Sequence, residues 1–130
     1  MTPPLQAISN FLSATFSRVF VALSWIRIEE QSSDRLLLNA NGCRTVADAR
    51  ARPISMQGKA IAGFDDIESI DVKHFVNGKR AEWLVVTLSL ADHRSVRIGG
   101  AADDVQASVA AAALSTITGR RVKVLQGWAI

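Results

Sequence analysis

The apolar positions of this chain follow a helical period over about its first 20 residues and an alternating period after that. In the first segment they recur at intervals of three and four, which places them on one side of a helix: Leu5, Ile8, Leu12, Phe16, Val19 and Leu23. Thr2 can cap this helix, and Pro3 suits its first position. The pattern predicts an N-terminal apolar helix, and we separate residues 1–20 from a single domain over residues 21–130.

After this segment, alternating apolar and polar positions predict a series of short strands. Both central residues of a type I′ hairpin turn need positive φ, and Asn-Gly is the preferred pair there. Asn41-Gly42 predicts a hairpin of residues 36–40 with 43–47, and a second Asn-Gly joins two longer strands in "IESIDVKHFVNGKRAEWLVVTLSL". The other predicted strands are the second half of "VFVALSWIRIEE", residues 59–62 and residues 95–98.

The apolar pattern ends with a helix predicted over residues 104–118. Gly119 suits the left-handed conformation that follows a helix end, and Asp103 with Gln106 has the spacing of a capping box. The helical period selects one stripe as the buried face: Val105, Val109, Ala112, Ala113, Thr116 and Ile117.

The pair Gly99-Gly100 stands between the last of these strands and the helix. A phosphate-binding loop has several glycines at set spacing within a parallel strand-loop-helix unit, whereas this pair follows antiparallel strands. Asp103 would also repel an anion from the helix N-terminus. We therefore predict a flexible bend here rather than a phosphate site.

Together these elements predict an α+β fold. It consists of an antiparallel β meander, or a partly open barrel of about six to seven strands, with one C-terminal amphipathic helix. The N-terminal apolar helix precedes it.

This order of elements resembles the pleckstrin-homology-like fold. "FDDIESIDV" and "WLVVTLSLADHRSVRIGGAADDVQASVAAAALSTITGRRV", within residues 61–124, are similar to the pattern of bacterial pleckstrin-homology-like domains. The resemblance implies a binding or assembly module without catalysis, of a kind often found in membrane-associated proteins.

The composition is that of a globular protein with a small positive charge. Its 130 residues suffice for one domain with its own core, and a single cysteine, Cys43, excludes an internal disulfide. Fifteen basic and twelve acidic residues leave a net charge of +3. The basic residues are spread along the chain, so nucleic-acid binding is disfavoured. It remains an alternative, carried by Arg50, Arg52, Arg120, Arg121 and Lys123.

The N-terminal segment has three open interpretations. Its lack of basic residues before the apolar stretch disfavours a secretory signal, and its polar residues disfavour a membrane span. Its apolar stripe can pack on the chain's own core, enter a groove of a partner or lie on a membrane surface. We accordingly predict a cytoplasmic protein, with peripheral attachment to the inner membrane as an alternative.

Residues with catalytic or ligand-binding chemistry are few. His74 and His93 lack a second ligand at metal-binding spacing, and Cys43 has no nearby histidine, so we predict no metal, no cofactor and no catalytic site. An enzyme with a site built from scattered residues, such as Asp71, His74 and Glu82, stays open as an alternative.

We predict a non-catalytic interaction or assembly module that binds a protein partner or a second copy of itself. The candidate partner-binding residues are Leu5, Ile8, Leu12, Phe16 and Trp128. A second set surrounds an irregular loop and would bind an anion or a lipid headgroup: Arg50, Arg52 and Lys59.

Overall fold

A computed structural model of the chain describes residues 24–77 and 81–129. The described residues form nine strands, a 3₁₀-helix and one α-helix: β1 (Ile26–Gln31), β2 (Arg35–Ala40), β3 (Cys43–Asp48), β4 (Pro53–Met56), β5 (Lys59–Gly63), the 3₁₀-helix (Phe64–Asp66), β6 (Ile67–Asn77), β7 (Ala81–Leu90), β8 (Ser95–Ala101), α1 (Asp104–Thr118) and β9 (Val122–Ala129). The predicted N-terminal helix lies outside the described residues. The α+β class with one helix near the C-terminus is confirmed, and the strands outnumber the six to seven predicted.

The first sheet is an antiparallel meander of β1 to β5 in chain order. Its central hairpin turns at Asn41 and Gly42, whose φ angles of 50° and 90° are those of a type I′ turn. Gln57 and Gly58 turn in the same way between β4 and β5, with φ angles of 51° and 77°. Both hairpins therefore place glycine at the second turn position, where positive φ costs no steric strain.

The second sheet has the order β8-β7-β6-β9. β6, β7 and β8 are antiparallel neighbours, whereas β9 pairs with β6 in parallel. This pairing arises because α1 carries the chain from β8 back across the sheet before β9 begins. Both sheets are open, so the fold is a pair of open sheets with a helix.

The turn between β7 and β8 lacks a glycine, and His93 takes the left-handed conformation there with a φ of 71°. The backbone N–H of Arg94 donates to Asp92 Oδ1 at 3.1 Å, and the Arg94 side chain donates to Oδ2. These two hydrogen bonds, the backbone one first, lower the pKa of Asp92. A lowered pKa means that this stabilisation is present above the carboxyl's unfolded pKa and is lost as pH falls through the folded one.

The core lies between the two sheets and α1. Its largest buried side chains come from both sheets, the 3₁₀-helix and α1: Leu36, Leu38, Ile54, Phe64, Ile67, Ile70, Leu88, Leu90, Ile98 and Leu114. Alanines form most of the buried face of α1, and their small side chains allow close approach to the strands.

Gly99 and Gly100 lie within β8, so the predicted flexible bend is wrong. A Cβ on Gly99 would overlap the Cβ of Ala40 in the first sheet. A Cβ on Gly100 would overlap Trp83 Nε1 and lie 2.7 Å from Trp83 Cε2. The two glycines therefore leave space on opposite faces of the strand, one for the first sheet and one for an indole ring.

Candidate interaction surface

Helix α1 has two apolar faces, and the sequence pattern selected the wrong one as buried. Asp103 caps the helix by accepting the N–H of Val105 at 2.8 Å, and Gly119 ends it with a φ of 74°. The buried residues are Ala107, Ala110, Ala111, Ala113, Leu114 and Thr118. Of the predicted stripe, Ala113 is buried and Ile117 packs against the core, whereas the other four residues are exposed. The reason is steric, because alanine fits between a helix and two sheets more closely than valine does.

The four exposed residues form what we call the α1 stripe: Val105, Val109, Ala112 and Thr116. Val105 is 62% exposed and Val109 is 48% exposed. The hydroxyl of Thr116 donates to the carbonyl oxygen of Ala112 at 2.9 Å, so the helix itself satisfies this polar group. The stripe is thus an apolar surface along a helix whose other face is already buried.

Strand β9 forms one edge of the second sheet and carries two more exposed valines. Val124 is 63% exposed and Val122 is 37% exposed. Their parallel partners on β6 are Val72 and Ile70, so both valines lie on the sheet face that α1 covers. Within the described residues, the exposed large apolar side chains are these two valines and the two of the α1 stripe.

The other three sheet edges carry protections that the first half of β9 lacks. β1 carries a bulge at Glu29, β5 is only five residues long and begins with Lys59, and β8 packs against the first sheet at Gly99. β9 is eight residues long and has one charged residue, Lys123. Its own bulge lies at Gln126 and Gly127, so residues 122–125 form a regular edge. Bulges, short length, charge and coverage are the usual protections of an edge strand. Among the described edges, residues 122–125 of β9 are therefore the stretch most open to strand addition.

Trp128, one of the candidate partner-binding residues, belongs to this edge. In the backbone register of β9 it pairs with Phe75 of β6. The C-terminal "QGWA" thus continues the sheet. The other candidates of that set, Leu5, Ile8, Leu12 and Phe16, lie outside the described residues.

The predicted anion-binding residues lie at two ends of β4. Arg50 and Arg52 precede the strand, whereas Lys59 follows the hairpin turn at its far end, roughly 10 Å away at the rise of an extended strand. Each arginine contacts a carboxylate at 3.1 Å, Arg50 to Asp34 and Arg52 to Asp65. The structure therefore places two of the three residues at one end of β4 and the third at the other.

Arg120 joins Arg52 at the carboxylate of Asp65. Its Nη2 lies 3.5 Å from Asp65 Oδ1, and its Nε donates to the carbonyl oxygen of Phe64 at 3.1 Å. These contacts attach the end of α1 to the 3₁₀-helix. Two residues of the nucleic-acid alternative thus come together around an acidic group, which offsets part of their charge.

The residues of the enzyme alternative lie on different faces of the second sheet. Asp71 alternates with the core-facing Ile70 and Val72, while His74 has the same parity as Val72. Asp71 is 5% exposed, and its two carboxylate oxygens accept hydroxyl groups from Ser69 at 2.8 Å and Ser89 at 2.6 Å. Glu82 pairs with Val76 in the backbone register. The two serines were not among the residues predicted from the sequence, although the Ser-x-Asp spacing places Ser69 on the same face as Asp71.

An open cleft of about 250 Å³ lies between β8 and the first sheet. Cys43 and Met56 line one side, and Arg97 and Gly99 line the other. The lining offers apolar contact and one guanidinium. In the described part of the chain, no three His, Cys, Asp or Glu residues are grouped to hold a metal ion.

Comparisons of the chain with models of protein families, with curated proteins and with solved structures found no match. The resemblance to pleckstrin-homology-like domains therefore stays a prediction from the sequence pattern. Within residues 24–77 and 81–129, neither helix combines the length and the hydropathy that crossing a bilayer requires.

Proposed function

We propose that this chain is a non-catalytic assembly module and that a second copy of the chain pairs with the free edge of β9. The observation that carries the proposal is the open edge at residues 122–125 of β9, where Val122 and Val124 are exposed and the strand is regular. Addition of a strand satisfies the unpaired backbone groups of such an edge and covers its apolar side chains. The pleckstrin-homology-like pattern supports the same class of function.

The sequence of β9 favours one antiparallel register between two copies. If the twofold axis passes at Val124, the two Val124 side chains face each other and Lys123 lies opposite Leu125 of the second copy. If the axis passes at Lys123, two lysines face each other, which is destabilising. In the first register, the second sheet of one copy continues into the second sheet of the other copy.

Substitution Val124→Lys is expected to weaken self-association of the full-length chain by about tenfold or more, because it sets two positive charges directly opposite each other at the twofold axis. The measurement is sedimentation equilibrium over a range of protein concentrations. Ser95→Lys is the matched control, because Ser95 is also an exposed strand residue and lies in the opposite edge strand of the same sheet. A wild-type chain that stays monomeric at every concentration, or a dimer that Val124→Lys leaves intact, would refute strand addition at β9.

The alternative in which the N-terminal segment makes the partner or membrane contact gives a different result in the same experiment. Leu12→Asp with Phe16→Asp would then abolish self-association, or flotation with phospholipid vesicles, while Val124→Lys would not. Strand addition at β9 predicts the reverse order of effects on self-association. The nucleic-acid alternative predicts retention on heparin that weakens steeply with salt.

A further inference from the structure

The α1 stripe has a spacing that the N-terminal segment repeats in reverse. Along α1 the residues Val105, Val109, Ala112 and Thr116 are separated by four, three and four positions. Counted backwards from the start of the described chain, Leu23, Val19, Phe16 and Leu12 are also separated by four, three and four positions. Two antiparallel helices with these stripes would match residue for residue over three turns.

The chain enters the described structure at the end of α1 where this pairing would begin. The carbonyl oxygen of Ser24 accepts the N–H of Ala102 at 3.4 Å, two residues before α1. The N–H of Ile26 donates to Gln106 Oε1 at 3.0 Å, and Gln106 is the neighbour of Val105 in sequence. Leu23 is therefore bonded to a residue held beside the first turn of α1.

The length of the preceding segment is sufficient to follow the helix. Residues 1–23 in helical conformation would extend about 34 Å, and the 15 residues of α1 extend about 22 Å. The polar residues of the segment fall largely away from its apolar stripe, for example Asn10 and Ser17, so that pairing would leave them toward solvent.

We propose that residues 5–23 of the same chain form a helix that packs antiparallel on the α1 stripe. In this arrangement Leu23 lies opposite Val105, Val19 opposite Val109, Phe16 opposite Ala112 and Leu12 opposite Thr116. The small side chain of Ala112 leaves room for the ring of Phe16. The direct covalent connection at Ser24 gives the segment of the same chain a high effective concentration at α1, ahead of a second copy or a membrane.

This proposal does not depend on strand addition at β9, because it concerns a different surface. The test is disulfide cross-linking in the full-length chain, with Cys43→Ser removing the native thiol. Val19→Cys combined with Val109→Cys is expected to form a disulfide under mild oxidation, because facing positions of packed helices bring Cβ atoms within disulfide reach. Val21→Cys with Val109→Cys is the matched control, since residue 21 lies on the opposite side of the predicted helix.

The expected result is a cross-linked product of monomer mass, formed about tenfold more than in the control pair. A second pair, Leu12→Cys with Thr116→Cys, tests the same register at the other end of α1 and serves if the first variant does not fold. A disulfide-linked dimer, equal yields from the test and control pairs, or no disulfide in either folded test pair would overturn the proposal. A change in self-association on Val124→Lys has no bearing on this result, so the two proposals fail separately.

Discussion

Gly99→Ala is expected to lower the free energy of unfolding by about 2 kcal/mol, because the new methyl group would overlap the Cβ of Ala40. Gly99 lies where β8 packs against the first sheet, and a Cβ there would also approach Ile26 Cγ1 at 3.4 Å. Neither neighbour is the flexible end of a long polar side chain, so relief requires the two sheets to move apart. The measurement is equilibrium unfolding in urea, monitored by tryptophan fluorescence and by circular dichroism.

Two further variants separate this overlap from a general effect of replacing glycine. Gly63→Ala is the matched control, because Gly63 has a φ of −80° and a Cβ there would meet the flexible carboxylate of Asp66 at 3.2 Å. Ala40→Gly combined with Gly99→Ala removes one side of the overlap and should recover part of the lost stability. If Gly99→Ala is as stable as Gly63→Ala, the close approach of the two sheets at β8 is wrong.

The double substitution Ser69→Ala with Ser89→Ala is expected to cost about 3 kcal/mol at neutral pH, since it removes both hydroxyl donors from the buried carboxylate of Asp71. Each hydroxyl donates to a different oxygen of that group. Hydrogen bonds to charged groups contribute more than neutral ones, and a buried charge without donors is costly. Urea unfolding at pH 7 measures the loss.

Thr87 provides the control for this pair of serines. It lies directly opposite Asp71 on β7 and is 5% exposed, and its Oγ1 has no hydrogen-bond partner within the described part of the chain. Thr87→Val should therefore leave the stability unchanged or slightly raise it. Adding Asp71→Val to the two serine substitutions should recover stability, because no charge then remains without donors. A stable double alanine variant would show that the carboxylate is solvated in solution.

The four exposed valines of the described residues belong to two proposed contact surfaces, two of them to each surface. Val122 and Val124 lie on an edge strand, whose outer backbone N–H and C=O groups can pair with another strand. Val105 and Val109 lie on a helix, whose backbone groups bond within the helix. A strand suits the first surface and a helix suits the second. For the helix surface, the proposed partner is the apolar N-terminal segment of the same chain. For the strand edge, the proposed partner is a second copy of the chain.

Local signals in the sequence predicted several elements closely. The Asn41-Gly42 turn formed where expected, and α1 spans the predicted residues between its cap at Asp103 and its end at Gly119. The predicted alternation along β6 and β7 is also present, with Ile70, Val72, Leu84, Val86, Leu88 and Leu90 all buried. These features depend on φ preferences, caps and side-chain periodicity within a few residues, so a sequence pattern contains them.

Contacts between distant parts of the chain decided the rest. The pattern of α1 contained two apolar stripes, and the separation of the two sheets selected the alanines for burial and left Val105 and Val109 exposed. Gly99 lies in a strand because it pairs with Val86 of β7. Ala40, 59 residues earlier in the chain, approaches Gly99 so closely that no side chain fits there. β9 is an edge strand because α1 returns the chain to the far side of β6, where β9 pairs with β6 and no further described strand follows in the sheet. The sequence by itself determined where turns, caps and periodic segments lie. The tertiary structure decided which faces and edges remain open, because the exposure of a face depends on packing distances that no local pattern encodes.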